Sequence, residues 1–194
     1  VNTPLKTLTL THSNGATFGD EVKTDISVML TDTTATRDIT FVGDLTTATL
    51  TTTGSGYNVK LLGAQTTVTN STVFNHTGSL TLGDDATDAL SFAGGVTATA
   101  PSSISAAGRI STSGTGALTL GDINTGLTLT KDVWLTTAGG ALHVGGWIEG
   151  ADVGVNAQSL TLNATSAGAV NVDGTVGVNT PLKTLTLTHS NGAT

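Results

Sequence analysis

The side chains able to do chemistry are few and scattered. Fourteen acids stand against seven bases in 194 residues, with four histidines and no cysteine. Two acid clusters stand out, Asp84, Asp85 and Asp88 in one turn region and Asp20-Glu21 with Asp25 in another. Calcium takes about six to eight oxygen ligands, so close carboxylates are its natural candidates. The glycine-rich nonapeptide that builds calcium sites in stacked β-rolls is missing. Asp84, Asp85 and Asp88 therefore stand as calcium candidates against a solvated acidic turn. The histidines are His12, its copy His189, His76 and His143. None has an i,i+4 partner on a helical stretch, so surface positions are expected rather than metal ligation. Glycan-cleaving chemistry needs converging carboxylates with a base on one face. The arginines are Arg37 and Arg109, and no acid pair accompanies Arg109. A non-catalytic chain is expected, with no cofactor beyond the calcium candidates. Trp134 lies between the apolar Val133 and Leu135. If those point inward, Trp134 points outward and is a candidate interface residue; the alternative is a Trp134 that fills the core at a bulge.

These residues are positioned by a repeat. Val1–Thr17 reads VNTPLKTLTLTHSNGAT, and Val178–Thr194 reads the same. Seventeen identical residues do not recur by chance, and such a repeat decides the architecture. Residues 1–177 are read as one complete tandem unit and 178–194 as the start of the next. The chain is expected to be a segment of a longer array. Identical stretches should be related by one screw operation, with about 38 Å of axial advance for eight coils and a modest rotation.

A shorter motif runs inside the unit: an apolar-x-apolar run, then glycine within a residue or two. It occurs at Ala16-Thr17-Phe18, Ile39-Thr40-Phe41, Val59-Lys60-Leu61, Leu80-Thr81-Leu82, Leu90-Ser91-Phe92, Leu118-Thr119-Leu120, Leu142-His143-Val144 and Val170-Asn171-Val172. The alternation has a period of two, which is that of strands. Glycine and asparagine turn signals interrupt it every few residues, and no stretch shows capped helical spacing. The reading is all-β: a right-handed parallel β-helix, or β-solenoid, of about eight coils per 177-residue repeat. The alternative is tandem β-sandwiches of roughly 90 residues each. Strands should pair in parallel with equivalents one coil away. Leu8, Leu10, Phe18, Ile39, Phe41, Leu80, Leu82, Leu118, Leu120, Leu142, Val144, Leu160, Leu162, Val170 and Val172 should face inward, with intervening Thr, Ser and Asn outward.

Composition limits the partners. One unit carries 14 acidic and 6 basic side chains, a net charge of −8. An array of such units repels nucleic acid and anionic membranes. No apolar run approaches the roughly 20 residues of a membrane span. The lack of cysteine fits a chain that crosses membranes unfolded without oxidising.

The phrases Ser79-Leu80-Thr81-Leu82-Gly83, Asp38-Ile39-Thr40-Phe41 with Gly43-Asp44, and Gln158-Ser159-Leu160-Thr161-Leu162-Asn163 carry a resemblance across the whole chain. The texture is similar to the β-strand repeats of giant bacterial surface proteins, the filamentous-haemagglutinin-like adhesins and autotransporter passengers. The resemblance implies a right-handed parallel β-helix, export to the bacterial cell surface, and a stalk, adhesive or fibre role. The expected partners are neighbouring copies end to end, with lateral self-association as a second contact. A glycan or host-surface ligand belongs to the alternative reading, a binding module.

Overall fold

A run as short as Leu118-Thr119-Leu120 cannot hold itself. Its backbone groups must be met by strands on both sides. The computed structural model, which describes residues 3–165 and 167–194, meets them by stacking. Every strand pairing is parallel. Among the described residues the antiparallel contact is one isolated bridge, Asp122 to Thr125, and the helical content is one 3-10 turn, Gly154–Asn156. The fold is thus a β-solenoid of about eight coils. Parallel stacking excludes the tandem sandwiches, whose sheets are antiparallel.

Each coil visits three faces. The first stacks Ala16, Ile39, Val59, Leu80, Ile104, Leu127 and Ile148. The second stacks Val22, Leu45, Thr66, Leu90, Ile110, Leu135, Leu162 and Leu187. The third begins with Leu8, Val28 and Leu50 and ends with Val96, Leu118, Leu142, Val170 and Ala193; Thr51 against Val73 joins the two parts. Coil length varies, and the circuit from Leu8 to Val28 is shorter than the one from Leu142 to Val170.

The alternation sets the core as expected. Ile39, Phe41, Leu80, Leu82, Leu118, Leu120, Leu142, Val144, Leu160, Leu162 and Val170 are at most 3% exposed. Leu8, Leu10, Phe18 and Val172 point the same way but are only half-buried. They lie on the outermost coils, where one side has no further strand. Several inward positions hold threonine instead. Thr24 and Thr47 satisfy each other at 2.7 Å, and Thr112 and Thr137 each donate to a turn carbonyl, of Gly116 and Gly140, at 2.5 Å. A buried hydroxyl is tolerated when it finds such a partner.

Two expectations fail. His76, expected on the surface, is 0% exposed. Its ring stacks on Tyr57 at 5.5 Å and meets Phe74 edge-on at 5.8 Å. The lack of a helical partner spoke against metal ligation but not for exposure: the period of two runs on through this corner, with Thr72, Phe74, His76, Gly78 and Leu80 buried and Val73, Asn75 and Thr77 exposed.

The second failure concerns phase. Val1 and Asn2 lie outside the described residues, but the rest of the two copies can be compared. Leu8 and Leu10 lie on the third face, beside Val28 and Leu30. Their counterparts Leu185 and Leu187 lie on the second face, beside Leu160 and Leu162. Ala16 is on the first face and Ala193 on the third. The second copy is displaced by one whole face, not by a modest rotation. The short motif drifts the same way. Its first four instances sit on the first face, Leu90-Ser91-Phe92 on the second, and the last three on the third.

Candidate functional sites on the coils

The acidic turn is built from within. Gly83 turns at φ +80°, in the left-handed region that glycine enters without strain. Asp88, 4% exposed, folds back so that Oδ2 accepts the N–H groups of Asp84 and Asp85 at 2.8 and 3.0 Å. Asp85 Oδ1 accepts both the N–H and the hydroxyl of Thr87, at 2.9 and 2.8 Å. These bonds hold the Asp85 carboxyl below its usual range, while burial, then the Asp88 charge, pushes Asp84 up. The carboxylates lock a turn. Among the described residues no group of three or more His, Cys, Asp or Glu could hold a metal ion.

Two outer histidines pair with acids, and His189 is exposed on the end coil. His143 Nε2 lies 2.9 Å from Asp173 Oδ2, and His12 Nε2 lies 3.2 Å from Asp32 Oδ2. Buried His76 behaves differently. Its Nε2 meets the Ser79 carbonyl at 3.2 Å and therefore carries the proton. Its Nδ1 has no partner. Burial lowers its pKa to about 4, because a charged ring would be desolvated.

Trp134 points outward and is half-buried, while Val133 and Leu135 are buried. Its strand neighbours are Arg109 one coil below and Thr161 one coil above. The core-filling alternative is thereby removed. The other tryptophan, Trp147, went unnoticed in the sequence. It is 40% exposed, and its ring lies so close over Gly126 that an added Cβ would sit 2.4 Å from the indole. The signal was available: Gly126 sits one coil before Trp147, next to the stacked pair Leu127 and Ile148, and leaves room for a flat ring. Trp147, Ile123, His143, Asp122 and Asp173 line a groove of about 410 Å³. It offers an aromatic face beside carboxylates, with no lysine or arginine in its lining, which suits a neutral or cationic group with a flat apolar side.

The remaining site is the end coil. Leu162, Val172, Val176, Leu185 and Leu187 line an apolar groove of about 300 Å³. Leu185 and Leu187 are 52% and 45% exposed. The chain is led into this coil by Glu149, itself only 7% exposed. Its carboxylate accepts the N–H groups of Asn179 and Thr180 at 3.1 and 2.7 Å, and the Asn179 side-chain amide at 3.2 Å. Gln158 closes the preceding loop, accepting from the Ala151 and Asp152 N–H groups at 2.9 and 3.2 Å.

Among the described residues no helix is long and apolar enough to cross a membrane. No protein-family model, curated protein or solved structure matches the chain.

Proposed function

We propose that the chain is a structural, non-catalytic repeat unit of a long extracellular or bacterial cell-surface fibre or stalk, joined end to end to copies of itself. One observation carries the reading. The second copy of the repeated stretch continues the solenoid: Thr184 to Leu187 pair in register with Ser159 to Leu162. The ladder of backbone hydrogen bonds then runs along the fibre axis, and each unit covers the open edge of the one before. Open edges of this kind invite association. The lack of cysteine and the negative charge support an exported, soluble fibre. Negative-stain imaging of a chain lengthened by one 177-residue unit tests the fibre. The rod should grow by about 37 Å at about 4.8 Å per coil. Two separate bodies would overturn it. Surface labelling of intact source cells with an antibody to the unit tests its location.

A binding module is the second reading, and the Trp147 groove favours it. Titration of Trp147 fluorescence with neutral and amino sugars, with Trp147→Ala as control, tests that reading; no change in emission would remove it.

A further inference from the structure

The repeated stretch returns one face out of phase, and we infer that this is built into the period: each 177-residue unit winds seven and two-thirds coils, so the next unit docks on the open end coil turned by one face. The inference rests on the array reading above and specifies its geometry.

The count follows from the ladders. Leu8 starts the third face, and Val170 lies seven coils above it on that face. The chain then crosses the first face at Val176 and reaches the second at Leu185, two faces further on. Coil length forbids the in-phase arrangement. It would set Leu185 over Val170, a circuit well short of even the tight coil that stacks Val28 on Leu8. The observed step, Leu160 to Leu185, falls between that tight coil and the wide one that stacks Val170 on Leu142. Glu149 reinforces the phase. Its carboxylate grips Asn179 and Thr180 just before Pro181, and so delivers the following strand to the second face.

The occupant of the end groove is therefore specified. Val172 N–H donates to the Thr194 carbonyl at 2.9 Å, and Thr194 N–H to the Val170 carbonyl at 3.0 Å. The residue that follows in a further unit is the counterpart of Phe18. It falls on the third face, over half-buried Val172. In the first copy Phe18 lies on the first face, stacked on Phe41 at 4.8 Å. One phenylalanine serves either face because the inward columns of all three are built from interchangeable aliphatic residues. The outer surface rotates too. In-phase units would align Trp134 and the Trp147 groove in one stripe along the fibre. Units turned by one face carry them round all three sides and bring them back every third unit. Such a fibre has no single adhesive side and can make lateral contacts in any direction.

Cysteine pairs test the phase in the chain as it stands, since it has no thiol of its own. Neighbouring parallel strands lie about 4.8 Å apart, within the Cα separation a disulfide accepts. Thr161→Cys with Thr186→Cys should oxidise as readily as the mid-solenoid control, Thr97→Cys with Thr119→Cys, because both pairs are strand neighbours. Asn171→Cys with Thr186→Cys reports the in-phase alternative and should stay reduced. Adding Glu149→Ala should lower the yield of the Thr161/Thr186 pair severalfold and leave the control unchanged. A closed Asn171/Thr186 pair overturns the inference. So does an open Thr161/Thr186 pair while the control closes. The result does not depend on fibre growth, so a lengthened chain that fails to form one rod counts against the array and not against the phase.

Discussion

Thr7–Leu10 and Thr184–Leu187 hold the same residues under different neighbours. Both are strands, and both lead into a turn whose glycine takes a positive φ, +97° at Gly15 and +113° at Gly192. Local sequence thus sets the local shape twice over. It does not set the face. Leu10 lies beside Leu30, and Leu187 beside Leu162. In a stacked fold a strand lands where the chain length of one coil delivers it. A T-L-T-L strand fits any face because it asks only for an apolar interior and an open edge. The two copies differ in what covers them, and each of the following experiments presses on that difference.

The largest effect belongs to the covered coils. Leu82 is 0% exposed and stacked between Leu61 and Ala106. Leu82→Ala removes its transfer energy and leaves a cavity closed on every side, which costs about 2–5 kcal/mol. Urea unfolding should show a fall in that range. A loss under about 1 kcal/mol would mean that the middle coils collapse around the cavity as freely as the ends do.

His76 gives the middle coils a pH dependence of their own. Its pKa falls from 6.5 to about 4 on folding. Between those values the unfolded chain binds the extra proton, so acid favours unfolding. Its neutral-pH stability is complete above about pH 6.5 and is lost as pH falls toward 4, by about 3 kcal/mol for the full shift. The aromatic substitution His76→Phe should flatten that slope in denaturation measured from pH 7.5 to pH 4. An unchanged slope would place the titrating group elsewhere. Asp38, held below its usual range by Lys60 and then Asn58, acts at lower pH. Its contribution is present above about pH 4 and fades below, and its partial exposure keeps it small.

The strand alternation made most of this molecule legible. Leu118-Thr119-Leu120 and Leu142-His143-Val144 faced the way their spacing required, and the parallel stack followed from the recurrence of such runs. The corners were less legible. The inward period of two continues from Phe74 through His76 to Gly78 although no strand is formed there, whereas at Gly145-Gly146-Trp147 it breaks down and gives no guide to inside and outside. The face of each motif was hidden for a related reason: Leu80 and Leu90 share one coil, Leu90 and Leu118 sit a coil and a face apart, the other successive motifs sit one coil apart, and nothing local says so. Glu149 was passed over because its partners, Asn179 and Thr180, are about 30 residues ahead.

Glu149→Ala should cost about 1.5–3 kcal/mol, the usual worth of hydrogen bonds to a charged acceptor. The loss should be local. Hydrogen exchange at Asn179 and Thr180 and across Thr184–His189 should accelerate, with Leu80–Leu82 unaffected. Uniform acceleration would mean that the end coil and the middle unfold as one unit.

Leu187→Ala should have the smallest effect, and the most informative one. Leu187 is 45% exposed, its inner side against Leu162 and its outer side open. Truncation removes only part of the transfer energy and leaves an indentation that water fills rather than a closed void. The expected loss is about 1 kcal/mol or less, well under that of Leu82→Ala. Leu10→Ala should behave alike, since Leu10 is half-buried beneath Leu30. The same Leu187 substitution in a chain lengthened by one unit is the decisive companion. The added strands would bury Leu187 on both sides, and its cost should rise to the covered-coil range of about 2–5 kcal/mol. A cost that stays small after lengthening would show that the added unit does not continue the ladder, and the end-to-end assembly would fail with it.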